Sequence, residues 1–135
     1  MIITKGEIKL TVQQAIERAN EMRQGNASSD ETKIRWLSEL DGIIYNDVIL
    51  THHKDAKPFT PYEDGSGELI AAFPYDVVYV YWLMAQIDLA ASELNKYNNS
   101  MELFNKAIND YKAWYNRNNM PIAKPSITIC IDRRR

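Results

Sequence analysis

Residues 74–95 read PYDVVYVYWLMAQIDLAASELN, and they decide the fold. Val77, Val78, Val80, Tyr81, Leu83, Met84, Ile87, Leu89, Ala90, Ala91 and Leu94 cover most of a helical circumference. A helix apolar nearly all round lies at the centre of a domain or between subunits. Pro74 suits a first helical turn, where its missing N–H would have no partner. The spacing therefore predicts a central helix over 74–95. The early valines do not favour helix by themselves, so packing has to hold that end.

The next segment, Lys96-Tyr97-Asn98-Asn99, reads as a turn, with Asn99 and Glu102 capping a further helix over 100–118. Met101, Phe104, Ile108, Tyr111 and Tyr115 form its stripe, with Ala107 and Trp114 beside them. So short a connection makes the two helices antiparallel.

Upstream, Thr11 and Gln14 form a capping-box pair ahead of Val12, Ala15, Ile16 and Ala19, and Gly25-Asn26 stops that helix. This places the first helix over 12–23. Ser28 with Glu31 reads as a second box, opening a helix over 29–51 with two apolar stripes, Ile34/Leu37/Ile44/Val48 and Trp36/Leu40/Ile43/Leu50. Residues 52–73 lose the periodicity. They hold Pro58, Pro61, Gly65 and Gly67, and a loop of that length is often functional. Leu69 to Phe73 inside it fits a short strand. After Pro121 and Pro125, residues 126–131 alternate, with Ile127, Ile129 and Ile131 on one side and Thr128 and Cys130 on the other. That pattern predicts a strand in need of a partner. The expected fold is an all-α antiparallel bundle of about four helices. It is one domain over 1–135, with a long loop at 52–73 and an extended tail at 121–135 that ends in a short β-strand.

The chain has 135 residues, 45% hydrophobic and 25% charged, which fits one globular domain. Its net charge of −2 argues against a generic nucleic-acid coat. Residues 1–70 carry a net −4 and residues 71–135 a net +2, the latter including Arg133, Arg134 and Arg135. A single cysteine, Cys130, excludes an internal disulfide or a Cys-cluster metal site and fits a reducing compartment. The first residues lack the apolar core of a signal peptide, and no apolar run is long enough for a membrane span.

Candidate chemistry is sparse. His52-His53 is a histidine pair near Asp47 and Asp55. On an extended segment adjacent side chains diverge, and helical metal sites use i, i+4 spacing, so polar residues at a helix end are the simpler reading. Asp41 and Asp88 each fall on an apolar stripe, where a carboxylate is costly unless paired. One reading is a catalytic or metal-binding pair within a bundle. The Glu-x-x-His spacing of helical di-metal sites and the Glu-x-x-Glu of all-α pyrophosphatases are both absent. The favoured reading is therefore structural, a buried link to an arginine, a tyrosine hydroxyl or a helix end. Tyr75, Tyr79 and Trp82 place aromatics on two faces of the central helix and are candidates for a subunit interface.

Pro74-Tyr75-Asp76, Tyr81, Ala85-Gln86-Ile87-Asp88, Glu93, Tyr97-Asn98-Asn99-Ser100, Phe104-Asn105 and Trp114-Tyr115-Asn116-Arg117 follow in an order and spacing that resembles a known family. It is the head–tail connector family of tailed bacteriophages, small head-completion adaptors of siphophages and of prophages in Gram-positive bacteria. The likeness is strongest over 74–120 and looser over 28–51, and it does not reach the first ten residues or the tail after Pro121. It implies a structural virion protein rather than an enzyme, with no cofactor. Such a protein forms a ring beneath the portal, dodecameric in related phages. It extends the DNA channel and docks a tail-completion or stopper protein. DNA would pass without specific binding, since an acidic lumen repels phosphate. The location implied is the head–tail junction of the virion, with the host cytoplasm during assembly and no membrane. Ile127, Ile129, Ile131 and Arg133 to Arg135 join Tyr75, Tyr79 and Trp82 as candidates for contact with a neighbour or the portal. A small phage-derived helical regulator or DNA-binding module is the alternative, although no helix carries a basic recognition face. A helical hydrolase using Asp41, Asp88 and His52 comes third.

Overall fold

The computed structural model describes residues 8–53, 55 and 57–119. Four α-helices account for most of them: α1 (Val12–Met22), α2 (Asp30–Ile44), α3 (Val77–Ala90) and α4 (Leu94–Asn118). A π-helical turn, Tyr45–Ile49, continues α2. α3 packs against each of the other three helices and is the hub of a helical bundle. Val78, Tyr79 and Leu83 on α3 join Ile16 of α1, Leu37, Leu40 and Ile44 of α2, and Phe104, Ile108 and Tyr111 of α4 in one apolar core.

α1 starts as its sequence dictates. Thr11 Oγ1 accepts from the Gln14 N–H at 3.2 Å, and Gln14 Oε1 accepts from the Thr11 N–H at 3.0 Å. Two further donors at this helix end are satisfied by the long loop. Val12 N–H donates to the Gly67 carbonyl at 2.8 Å, and Gln13 N–H to that of Gly65 at 3.0 Å. The loop then runs antiparallel to residues 8–11, with Leu69 N–H on the Leu10 carbonyl, Phe73 N–H on the Ile8 carbonyl and a single bridge between Thr11 and Glu68. The strand expected at 69–73 does not form: the one bridge falls at Glu68, just ahead of it, and Leu69, Ala71 and Ala72 are buried loop residues.

The helix boundaries differ from expectation at three places. Asn26 Oδ1 holds the Ser28 N–H, which keeps Ser28 outside α2; Ser29 is the cap, accepting from Thr32 N–H at 3.2 Å. The Ser28/Glu31 box therefore does not form. Pro74 is not in α3, because Tyr75 N–H donates back to the Ala72 carbonyl and forms a separate turn ahead of Val77. The turn between α3 and α4 falls at 91–93, not 96–99. Ser92 adopts φ 59, its N–H reaches the Leu89 carbonyl, and the Glu93 N–H reaches the Asp88 carbonyl. This is the paired-bond helix ending usually built on glycine. Asn98, Asn99 and Glu102 consequently lie inside α4, and Asn99 caps nothing. The strand expected at 126–131 lies outside the described residues.

Candidate functional site

The two aspartates on apolar stripes sit at separate polar nodes of the bundle. Asp41, on α2, has no solvent exposure. Its Oδ1 accepts from the Tyr79 hydroxyl at 2.7 Å, and its Oδ2 accepts from the Tyr62 hydroxyl at 2.5 Å and the Ile70 N–H at 3.1 Å. Tyr79 Oη accepts from Ala71 N–H at 2.6 Å, and Tyr62 Oη also reaches the Glu68 carbonyl at 3.0 Å. This node pins the long loop to α2 and α3. Burial pushes the Asp41 carboxyl above its ordinary value, against the pull of the Tyr62, Tyr79 and Ile70 donors. Burial, followed by the Asp41 charge, raises both tyrosine hydroxyls well above theirs. Gly67 makes the arrangement possible, because a Cβ there would stand 2.6 Å from the Tyr62 ring.

Asp88, on α3, is 2% exposed and is held by two chains of donors. Arg23 grips it bidentately, Nε to Oδ1 at 2.7 Å and Nη2 to Oδ2 at 3.0 Å, and Ser100 Oγ donates to Oδ2 at 3.0 Å. The Asp88 hydrogen bond raises the Arg23 guanidinium further still. The node ties the end of α1 to the α3–α4 hairpin. Both carboxylates are buried, and each accepts from three donors.

The histidines lie at the end of the helical segment, just past the π-helical turn. Residues 51–52 turn, and both rings meet Tyr115: His52 edge-on at 5.0 Å between centroids, His53 through Nε2 to the Tyr115 hydroxyl at 3.0 Å. His52 Nδ1 bonds the Val48 carbonyl and Thr51 Oγ1, and its Nε2 is buried without a partner. Among the described residues, no three His, Cys, Asp or Glu side chains gather as a metal ion requires. No described helix is long and apolar enough to cross a membrane.

Of the three aromatics expected at an interface, Tyr79 is fully buried inside the monomer and cannot meet a neighbour; its hydroxyl is committed to Asp41. Tyr75 is half-buried against Tyr111 and Trp114, at 6.0 and 5.3 Å between centroids. Trp82 is half-buried against Phe104, and its Nε1 donates to the Trp36 carbonyl at 2.9 Å. Ile127, Ile129, Ile131 and Arg133 to Arg135 lie outside the described residues.

Trp82 also lines an open, mainly apolar groove of about 920 Å³ between α2 and the 58–61 segment. Ile43, Leu50, Pro58, Phe59 and Pro61 complete its walls, with Arg35 and Glu39 at the rim. Ile43, just before the π-helical turn that continues α2, is 52% exposed. A shallower pocket of about 230 Å³ adjoins it toward the start of α2, sharing Arg35, Ser38 and Pro61 and adding Glu31 and Glu63. Sequence reasoning flagged the proline-bearing loop but not its pairing with Ile43. The signal was the second stripe of α2: Leu40 on it joins the core, whereas Ile43 and Leu50 face the loop across the groove. Comparison with protein-family models, with curated proteins and with solved structures returns no match for this chain.

Proposed function

We propose that the chain is a head–tail connector adaptor, a structural subunit that forms a ring beneath a phage portal, lengthens the DNA channel and docks a tail-completion protein. The reading rests first on the ordered motifs over 74–120. The observation that carries it beyond resemblance is the division of labour among polar and apolar groups. Both buried carboxylates are consumed as ties between elements, while the open groove on α2 is apolar. A catalyst needs the reverse, polar groups converging in the cleft. An apolar groove suits a polypeptide segment, from this chain or another, rather than a reacting small molecule. The test is co-purification with a phage portal protein. Stable association, with no retention on DNA at moderate salt, is the expected result; retention on DNA without portal binding would favour the regulator reading instead.

A further inference from the structure

We propose that the groove on α2 is the seat of this chain's own residues 126–135. Three observations on position, charge and length meet there, and none depends on the adaptor reading.

The first is where α4 delivers the chain. Tyr115 lies against His52 and His53, and Asn119 shares a small cavity with Ile49. Leu50, the next residue after Ile49, forms one end of the groove. The segment that follows Asn119 therefore starts beside the groove's Leu50 end. The second is polarity along the groove. Its Leu50-to-Ile43 part is uncharged and, apart from Asn46, apolar, whereas toward the start of α2 it meets Glu39, Glu31 and Glu63 against one cation, Arg35. The segment has the same order: Ile127, Ile129 and Ile131 first, then Arg133, Arg134 and Arg135.

The third is length. Ile43 to Glu31 spans roughly 18 Å of helix at about 1.5 Å per residue. Ile129 to Arg134 spans roughly 17 Å of extended chain at about 3.3 Å per residue. The eight residues from Asn119 to Ile127 reach up to about 27 Å, enough to lead in from Leu50. Seated so, the alternating isoleucines face Ile43, Phe59 and Trp82, and the arginines meet the acidic end. Cys130, on the opposite side of the alternation, faces away from the groove.

Hydrogen exchange on the full-length chain tests this, read by mass spectrometry on peptides covering 126–135 and 57–62. Two variants accompany the wild type: Ile43→Asp, at a position already half-exposed, and Ile127→Ser with Ile129→Ser and Ile131→Ser. Exchange of 127–131 is expected at least tenfold slower in the wild type than in Ile43→Asp, at every protein concentration. Exchange of 57–62 is expected to quicken in the triple variant. Equal exchange of 127–131 in wild type and Ile43→Asp would overturn the proposal. So would protection that fades on dilution, which would make the occupant a second copy.

Discussion

Asp88 and Asp41 illustrate how a buried carboxylate acquires a structural role through the donors that surround it. Asp88 sits with Arg23 and Ser100, so Asp88→Ala leaves a guanidinium facing a hole. We expect a loss on the order of 3 kcal/mol in urea unfolding, since removing one partner of a buried pair strands the other. Tyr79→Phe is expected to cost about 2 kcal/mol, because the Ala71 N–H and Asp41 Oδ1 each lose a partner. Asp41 carries a pH signature. Its carboxyl titrates above the ordinary 3.8, so the folded chain holds a proton that the unfolded chain has already released. Its contribution to stability is therefore full below 3.8 and declines as pH rises through the folded value. Asp41→Asn removes that titration, so the stability gap between wild type and variant should be wider at pH 3.5 than at pH 7. A gap that widens with pH would show the opposite shift. Both aspartates were legible as buried because their positions fall on apolar stripes. Their partners were not: Arg23 lies 65 residues from Asp88, and Tyr62 lies in a loop without periodicity.

At the scale of elements, short-range signals divided by whether their chemistry was local. The Thr11/Gln14 box formed because both bonds close within one turn. The α3–α4 turn was misplaced because its signal is absent from the residues that make it. Ala91-Ser92-Glu93 contains no glycine, yet Ser92 takes the left-handed conformation; Asn98-Asn99, with turn composition, stays helical. Hairpin packing overrides residue preference here, since Trp82 on Phe104 and Tyr75 on Trp114 fix the antiparallel pair. A serine at φ 59 carries steric strain that glycine does not. Ser92→Gly should therefore stabilise the fold by about 0.5 kcal/mol, while Ser92→Val should destabilise it, both read from the thermal midpoint. The π-helical turn that continues α2 left no sequence signal either. It carries the chain past Leu50, the end wall of the groove, into the long loop.

For the whole molecule, a ring subunit needs two unlike surfaces, because head-to-tail contacts are heterologous. Tyr79 is withdrawn from that role by burial and Trp82 by its place in the groove, which leaves half-buried Tyr75 and the exposed Phe73, Val77 and Ile8. Phe73 N–H on the Ile8 carbonyl holds Phe73 and Ile8 side by side. Phe73→Asp is expected to leave the thermal midpoint of the monomer within about 0.5 kcal/mol of stability, as for surface changes generally, while abolishing higher assembly. On the adaptor reading, contacts too weak to hold a ring of the isolated chain would make assembly await a template that raises local concentration. The adaptor reading is therefore tested most directly by electron microscopy of the purified chain mixed with its portal. The account predicts a closed ring of many copies coaxial with the portal channel and seated on one of its faces. Portal particles left bare at saturating chain, with the chain remaining monomeric, would contradict it.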